Sequence, residues 1–154
     1  MSTSAAASPG KPAVSPACAC GRLRRATRAL TQHYDNAMAP SGLRVTQFSL
    51  LRTLLQEGAS PVTRLADVLL LDRTALSRNL DPLLARGLVT VTAGRDARTR
   101  TVALTAGGRR AVRLAAPHWQ QAQREVARKL GPERLQSLIA TLGELESLHP
   151  ATRS

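Results

Sequence analysis

The sequence predicts a mainly α-helical fold with one small β-hairpin. Hydrophobic residues make up 43% of the chain and aromatic residues only 2%, so the core is built from Leu, Val and Ala. That composition favours helices over a β-sandwich, and apolar residues recur at helical spacing along most of the chain. Near residue 88 the spacing changes to that of strands. The length of 154 residues fits one domain.

Two helices are predicted in the first third of the chain. The first runs from about Cys18 to Met38, and Pro40-Ser41-Gly42 ends it. Thr46 is the predicted N-cap of the second helix, and Gly58 closes it.

Two short helices and a hairpin follow. The third helix covers about residues 62–70, a tight turn at Leu71-Asp72 follows, and the fourth helix runs from Arg73 to about Arg86, where Gly87 stops it. The strand formers on either side of a turn-rich tip at residues 93–98 are Leu88, Val89 and Val91, then Thr101, Val102 and Leu104.

Two long helices complete the chain. Thr105 caps a fifth helix that extends to about Leu130 and contains Pro117. Gly131-Pro132 restarts a sixth helix, because proline suits the first helical position. Its apolar face is formed by Leu135, Leu138, Ile139, Leu142, Leu145 and Leu148.

The charge of the chain indicates a polyanionic partner. The formal net charge is +12, and residues 73–113 hold nine arginines against two acids, Asp81 and Asp96. Arginine makes bidentate contacts with phosphate and guanine that lysine cannot make. A GC-rich genome would also favour arginine over lysine, but it does not explain the shortage of acids.

Several function classes are excluded by absent patterns. No apolar run approaches 18 residues and no signal peptide is present, so we expect neither a membrane span nor secretion. Hydrolase, phosphate-loop and zinc-protease motifs are missing, so we expect no enzyme, no cofactor and no metal site. With only Cys18 and Cys20, no disulfide framework is available, which indicates a reducing, cytoplasmic location.

Two short helices, a tight turn and a hairpin form a winged helix-turn-helix. An α-helix fits the major groove of DNA and presents the side chains of its N-terminal half to base edges. The candidate base readers on the fourth helix are Arg73, Thr74, Ser77, Arg78 and Asn79. The hairpin tip carries Arg95, Asp96, Arg98 and Arg100, and its arginines suit a minor groove or phosphates.

At these motifs the sequence resembles the MarR family of bacterial regulators. The matching stretches are LADVLLLDRTALSRNLDPLLARGLV at 65–89 and GRDARTRTVALTAGG at 94–108, with GLRVTQFSLLRTL at 42–54 upstream. The resemblance covers roughly residues 18–148. It implies homodimers, a recognition-helix arginine at Arg78, and an Asp96–Arg98 pair that directs the wing arginine toward the minor groove. A surface ion pair of Arg78 with Asp81 or Asp72 is the alternative role for that arginine.

The resemblance also predicts how the chain is divided. Residues 1–17, which are rich in Ser, Ala, Pro and Gly, form a disordered tail. Residues 18–148 form a single domain, in which 18–45 and 105–148 are dimerisation helices and 46–104 is the DNA-binding region. Two departures from the family stand in this region: Leu70 occupies the position of a usual glycine in the turn, and Pro82 lies inside the recognition helix.

Two kinds of regulatory signal fit the sequence. Members of the family release DNA when a small phenolic or aromatic acid binds, and His33, Tyr34, His118 and Trp119 are the polar aromatic groups that would line such a pocket; core packing explains them equally well. Others respond to oxidation. Cys18 and Cys20 lie near a helix start beside several arginines, which favours a reactive thiolate, although two inert thiols are the alternative.

The sequence therefore predicts a sequence-specific transcriptional regulator, a homodimer that binds an operator in double-stranded DNA. It acts as a repressor that a small effector or thiol oxidation releases. The alternative is a basic architectural protein that coats DNA without sequence preference, because the charge supports both.

Overall fold

The computed structural model describes residues 18–94 and 99–150. Six α-helices and three short strands make up these residues, with one 3₁₀ helix at Ala39–Ser41 between the first two helices. The helices are α1 Ala19–Met38, α2 Val45–Glu57, α3 Val62–Val68, α4 Arg73–Ala85, α5 Ala106–Leu130 and α6 Pro132–Glu146; the strands are β1 Ser60–Pro61, β2 Val89–Ala93 and β3 Arg100–Leu104. The mainly α-helical prediction is confirmed. No described helix is both long and apolar enough to cross a membrane.

The start of α2 differs from the prediction. The helix begins at Val45, and Arg44 rather than Thr46 occupies the N-cap. The reason is a partner from another helix: Oδ1 of Asp35 on α1 accepts a hydrogen bond from the Val45 backbone N–H at 2.7 Å. The Gln47 side chain accepts a bond from the Arg44 backbone N–H at 3.0 Å. These two acceptors satisfy helix N–H groups that a threonine cap would otherwise serve.

The turn between α3 and α4 explains why the family favours glycine there. Leu70 has a φ of 51° and is the one non-glycine residue of the described chain with positive φ. That conformation costs an L-residue energy that glycine does not incur. Asp72 then caps α4, because its Oδ1 accepts a bond from the Ala75 N–H at 2.7 Å. The turn thus keeps its shape at the expense of local strain.

The sheet contains one strand that the sequence did not predict. The strand order is β1-β3-β2, with both pairs antiparallel. β2 and β3 form the predicted hairpin, in which Val89 lies opposite Leu104. β1 has only two residues, with Ser60 opposite Val102, and a segment that short carries no readable alternation. Strand β1 directly precedes α3 and pairs with β3, so it connects the start of α3 to the wing.

The fifth helix begins where the sequence placed it. The Thr105 hydroxyl accepts a bond from the Gly108 N–H at 2.9 Å and donates one to the Gly87 carbonyl at 2.7 Å. Thr105 therefore caps α5 and joins it to the end of α4. Both α4 and α5 continue through their prolines, Pro82 and Pro117.

The core lies where α2, α4, the sheet and α5 meet. Its fully buried side chains include Met38, Leu51, Leu54, Leu65, Leu76, Leu83, Val89 and Val102. In contrast, α6 has no buried residue, and Ile139 on it is 56% exposed. The apolar face of α6 thus remains largely uncovered by the rest of this chain.

Candidate nucleic-acid interface

Four polar side chains share the exposed face of α4. Arg73, Thr74, Ser77 and Arg78 are all exposed, and they occupy the first half of the helix. The opposite face carries Leu76, Leu80 and Leu83, which are buried in the core. Because the apolar face fixes the helix against the core, its polar N-terminal half is held toward solvent, as readout of base edges requires.

A cleft joins this helix to the base of the wing. Arg73 and Ser77 of α4 line it together with Arg100 of β3, and its volume is about 210 Å³. The remaining lining residues are Pro61, Val62, Thr63 and Thr99. The structure therefore brings together two regions that are distant in sequence, the recognition helix and the wing. Thr63 and Thr99 were not among the predicted DNA contacts, and threonine hydroxyls are common donors to phosphate oxygens.

The arginines of this surface are available to an external anion. Within residues 18–94 and 99–150, none of Arg73, Arg78 and Arg100 makes an ion pair. Asp72, one alternative partner of Arg78, instead uses its carboxylate to cap α4. Unpaired exposed guanidinium groups carry donors suited to phosphate oxygens or guanine edges.

The remaining predicted DNA contacts fall into two groups. Asn79 is half-buried, and its amide donates to the Ala75 carbonyl of its own helix at 2.9 Å. It lines a different cleft, against α2, with Thr46 and Ser49. Asn79 thus lies away from the exposed face of α4. Arg95, Asp96 and Arg98 lie outside the described residues.

Two of the four candidate effector residues, His33 and Tyr34, lie on α1, and the other two, His118 and Trp119, lie on α5. On α1, the Tyr34 hydroxyl donates a hydrogen bond to Oε1 of Gln123 on α5. Nε2 of the neighbouring His33 lies 3.3 Å from the Glu125 carboxylate, and the two rings meet edge to face. Burial raises the pKa of Tyr34 above its usual 10.0. These two side chains link α1 to α5.

Trp119 lies at a different contact, between α5 and α2. Its ring centroid is 5.9 Å from that of Phe48, and the Arg52 guanidinium stands over it at 4.6 Å. His118 is half-buried next to it in sequence. Packing between helices engages three of these four side chains, and an effector pocket lined by all four stays a prediction.

Both cysteines are exposed, and neither forms a disulfide among the described residues. The Cys18 sulfur is the N-cap of α1 and accepts a bond from the Gly21 N–H at 3.4 Å. Cys20 lines a groove of about 680 Å³ between the start of α1 and the end of α6. Among the described residues, no three His, Cys, Asp or Glu side chains gather in a way that could hold a metal ion.

Comparisons with known proteins agree with this geometry. A sequence model described as "MarR family" matches residues 43–99. The crystal structure of the transcriptional regulator MosR from M. tuberculosis in complex with DNA is 43% identical, with a TM-score of 0.76. That match covers 85% of this chain and 97% of that one. No protein with a curated functional description matches the sequence.

More distant structures share the fold. BpsR of Bordetella bronchiseptica, described with regulation of its DNA binding by 6-hydroxynicotinic acid, is 24% identical over 82% of this chain and 96% of that chain, with a TM-score of 0.74. A mutant of MarR from E. coli complexed with operator DNA is also 24% identical, over 81% and 91%, with a TM-score of 0.73.

Proposed function

The chain belongs to the MarR family, and on that basis we propose that it is a transcriptional regulator that binds an operator in double-stranded DNA. The observation that carries this proposal is the α4 surface. Arg73 and Arg78 are exposed and make no ion pair within the described residues, and they share a helix face with Thr74 and Ser77. The side chains of these four residues can donate hydrogen bonds to guanine and to phosphate oxygens at the same time.

The wing completes the proposed interface. Arg100 shares a cleft with Arg73 and Ser77, so the hairpin follows the recognition helix onto the DNA. The sequence adds Arg95 and Arg98 at the wing tip. We assign them to the minor groove, with Asp96 as the partner of Arg98, as the family resemblance implies.

We propose that the protein works as a homodimer through residues 18–45 and 105–148. The support is the apolar face of α6, where Leu138, Ile139 and Leu145 remain exposed in one protomer. An uncovered apolar helix face of this kind marks an interaction surface. A second copy places two recognition helices about one turn of DNA apart, roughly 34–36 Å.

Release from DNA is proposed to follow one of two signals. The first signal is a small aromatic or phenolic acid, for which His33 and Tyr34 on α1 and His118 and Trp119 on α5 are the candidate contacts. The support from a relative is BpsR, whose DNA binding is regulated by 6-hydroxynicotinic acid. The second signal is oxidation of Cys18 and Cys20, both of which are exposed. Neither signal requires a catalytic activity or a cofactor, and we place the protein in the cytoplasm on the nucleoid.

Competition between duplexes tests the regulator against the architectural alternative. Binding of the wild type to its own promoter fragment and to random duplex is measured at physiological salt. We expect the promoter to bind at least about 1,000-fold more tightly, as specific binders do. Equal affinities would establish the architectural protein instead.

Substitution of one arginine tests the interface itself. Arg78→Ala removes a base contact and should weaken promoter binding by roughly 5- to 150-fold, with little change on random duplex. Lys11→Ala is the matched control, because it removes one positive charge outside the residues proposed to bind DNA or to form the dimer. If both variants lose the same affinity for the promoter, binding depends only on net charge, and α4 does not recognise the base sequence.

Oxidation is tested with peroxide on the same promoter fragment. Each disulfide formed from two thiols reduces one hydrogen peroxide to two waters. Loss of DNA binding that a thiol reductant reverses, and that Cys18→Ser with Cys20→Ser abolishes, supports the redox signal. Unchanged binding after oxidation removes it and leaves the small-molecule effector.

A further inference from the structure

A side chain at the end of the recognition helix reaches the connection between α1 and α2. Arg86 is the C-cap of α4, and its Nη1 donates a hydrogen bond to the Gly42 carbonyl at 2.9 Å. The two residues are 44 positions apart in the sequence. Arg86 is exposed, so this contact adds little to the core, but it joins two parts of the fold.

The connection that Arg86 contacts, residues 39–45, is also held from the other side. Asp35 of α1 accepts bonds from the Val45 N–H at 2.7 Å and from Nη1 of Arg44 at 3.4 Å, and its side chain is only 17% exposed. The 3₁₀ helix at the start of this connection packs against both α1 and α5. Residues 39–45 therefore connect α1 and α5 to Arg86 through direct contacts.

Apolar packing fixes which face of α4 is buried, and a directional bond at the end of the helix adds a restraint on its orientation. The helix contacts the core through Leu76, Leu80 and Leu83, and apolar contacts are not directional. A guanidinium–carbonyl bond is directional, and charge on its donor strengthens it. Arg86 thus restrains the end of α4 that lies opposite its base-reading half.

We propose that Arg86 is a positioning residue: its bond to the Gly42 carbonyl sets the orientation of α4 relative to α1 and α5, and so fixes the half-site spacing that the dimer recognises. The inference rests on the proposed function, because it concerns how two recognition helices are spaced on one operator. Arg86 itself touches no DNA in this mechanism. It determines where the Arg73–Arg78 face is held.

The test measures affinity as a function of half-site spacing. The probe is a palindromic duplex that the wild type selects from a random library, together with versions in which the half-sites are moved by one and two base pairs. The wild type should prefer one spacing. Arg86→Met keeps the aliphatic stem and removes the donor; it should lose roughly 3- to 30-fold on the preferred spacing and little on the others. Its spacing profile becomes flatter.

A matched control separates this effect from charge. Lys11→Met also removes one positive charge, outside the residues proposed to bind DNA or to form the dimer, and the wild-type spacing profile should persist. Thermal unfolding of Arg86→Met should remain cooperative, since the side chain is exposed. An unchanged profile in Arg86→Met, or a loss that is equal at every spacing, overturns the positioning role and leaves the proposed function standing. A wild type that binds every duplex equally overturns both.

Discussion

Gly108 packs directly against the backbone of Leu88: a β-carbon at position 108 would lie 2.0 Å from the Leu88 carbonyl oxygen. The same carbonyl accepts a bond from the Thr105 N–H at 3.2 Å. The start of α5 is therefore pressed onto the chain segment that enters the wing. This close approach is the physical reason for the glycine that ends the LTAGG stretch at 104–108, where a side chain would force the hairpin and α5 apart.

Gly108→Ala should destabilise the protein, because the added methyl group meets backbone atoms that have no room to move. We expect a loss of about 1–3 kcal/mol in the free energy of unfolding, measured by denaturant titration. Gly107→Ala is the control: its β-carbon would meet no atom closer than 3.4 Å, so the variant should be neutral or stabilised by up to about 1 kcal/mol. If both variants lose the same free energy of unfolding, α5 is packed less closely on Leu88 than the 2.0 Å approach implies.

Replacement of Leu70 should relieve the strain in the turn before α4. Leu70→Gly and Leu70→Ala both remove a side chain that is 41% exposed, but only glycine adopts a φ of 51° without cost. The glycine variant should be more stable than the alanine variant by about 1 kcal/mol, measured by thermal unfolding. A more stable alanine variant would contradict the left-handed conformation of this residue.

Tyr34 should make stability depend on pH in the alkaline range. Burial raises its pKa in the folded protein above the unfolded value near 10.0, so the folded state retains the phenol proton longer. The contribution is complete below pH 10 and is lost as the pH rises through the folded pKa. The chain has a single tyrosine, so tyrosinate absorbance reports this group alone.

We expect that absorbance to titrate with a midpoint above 10 in the folded protein. Tyr34→Phe should flatten the alkaline fall in stability and cost about 0.5–1.5 kcal/mol at neutral pH, because the bond to Gln123 is lost. A titration at or below 10 would place the phenol in solvent.

Asp35 should stabilise the start of α2 from the neighbouring helix. Asp35→Ala leaves the Val45 N–H without its acceptor and should cost roughly 0.5–2 kcal/mol in unfolding free energy. Asp35→Asn retains a carbonyl oxygen and should recover most of that loss. If both variants are equally destabilised, the ion pair with Arg44 matters more than the backbone contact.

Helix limits were predictable wherever the signal was local. Thr105, Asp72 and Gly87 act through residues three to five positions away, so their effects are visible in the sequence. The cap of α2 was mispredicted because its acceptor, Asp35, lies ten residues upstream on another helix. Strand β1 was not predicted because a segment of two residues is too short to show the alternation of apolar and polar residues that marks a strand.

The candidate site follows the same rule. The exposed face of α4 follows from helical spacing, and the structure adds the cleft in which Arg73 meets Arg100. Asn79 fits the same spacing, but its amide turns to the Ala75 carbonyl. For the candidate effector residues the sequence did not predict the contacts, because side-chain chemistry alone does not tell which helices Tyr34 or Trp119 joins.

Trp119 is the single tryptophan of the chain, and it sits between α5 and α2 with Phe48 beside it and a guanidinium over its ring. All indole emission from this protein therefore originates at one joint between helices. If binding of a duplex or an aromatic acid shifts α2 on α5, the distance of Arg52 from the ring changes, and the wavelength and yield of the emission should change with it. Trp119 is therefore an intrinsic fluorescent probe of this helix contact, and no added label is needed.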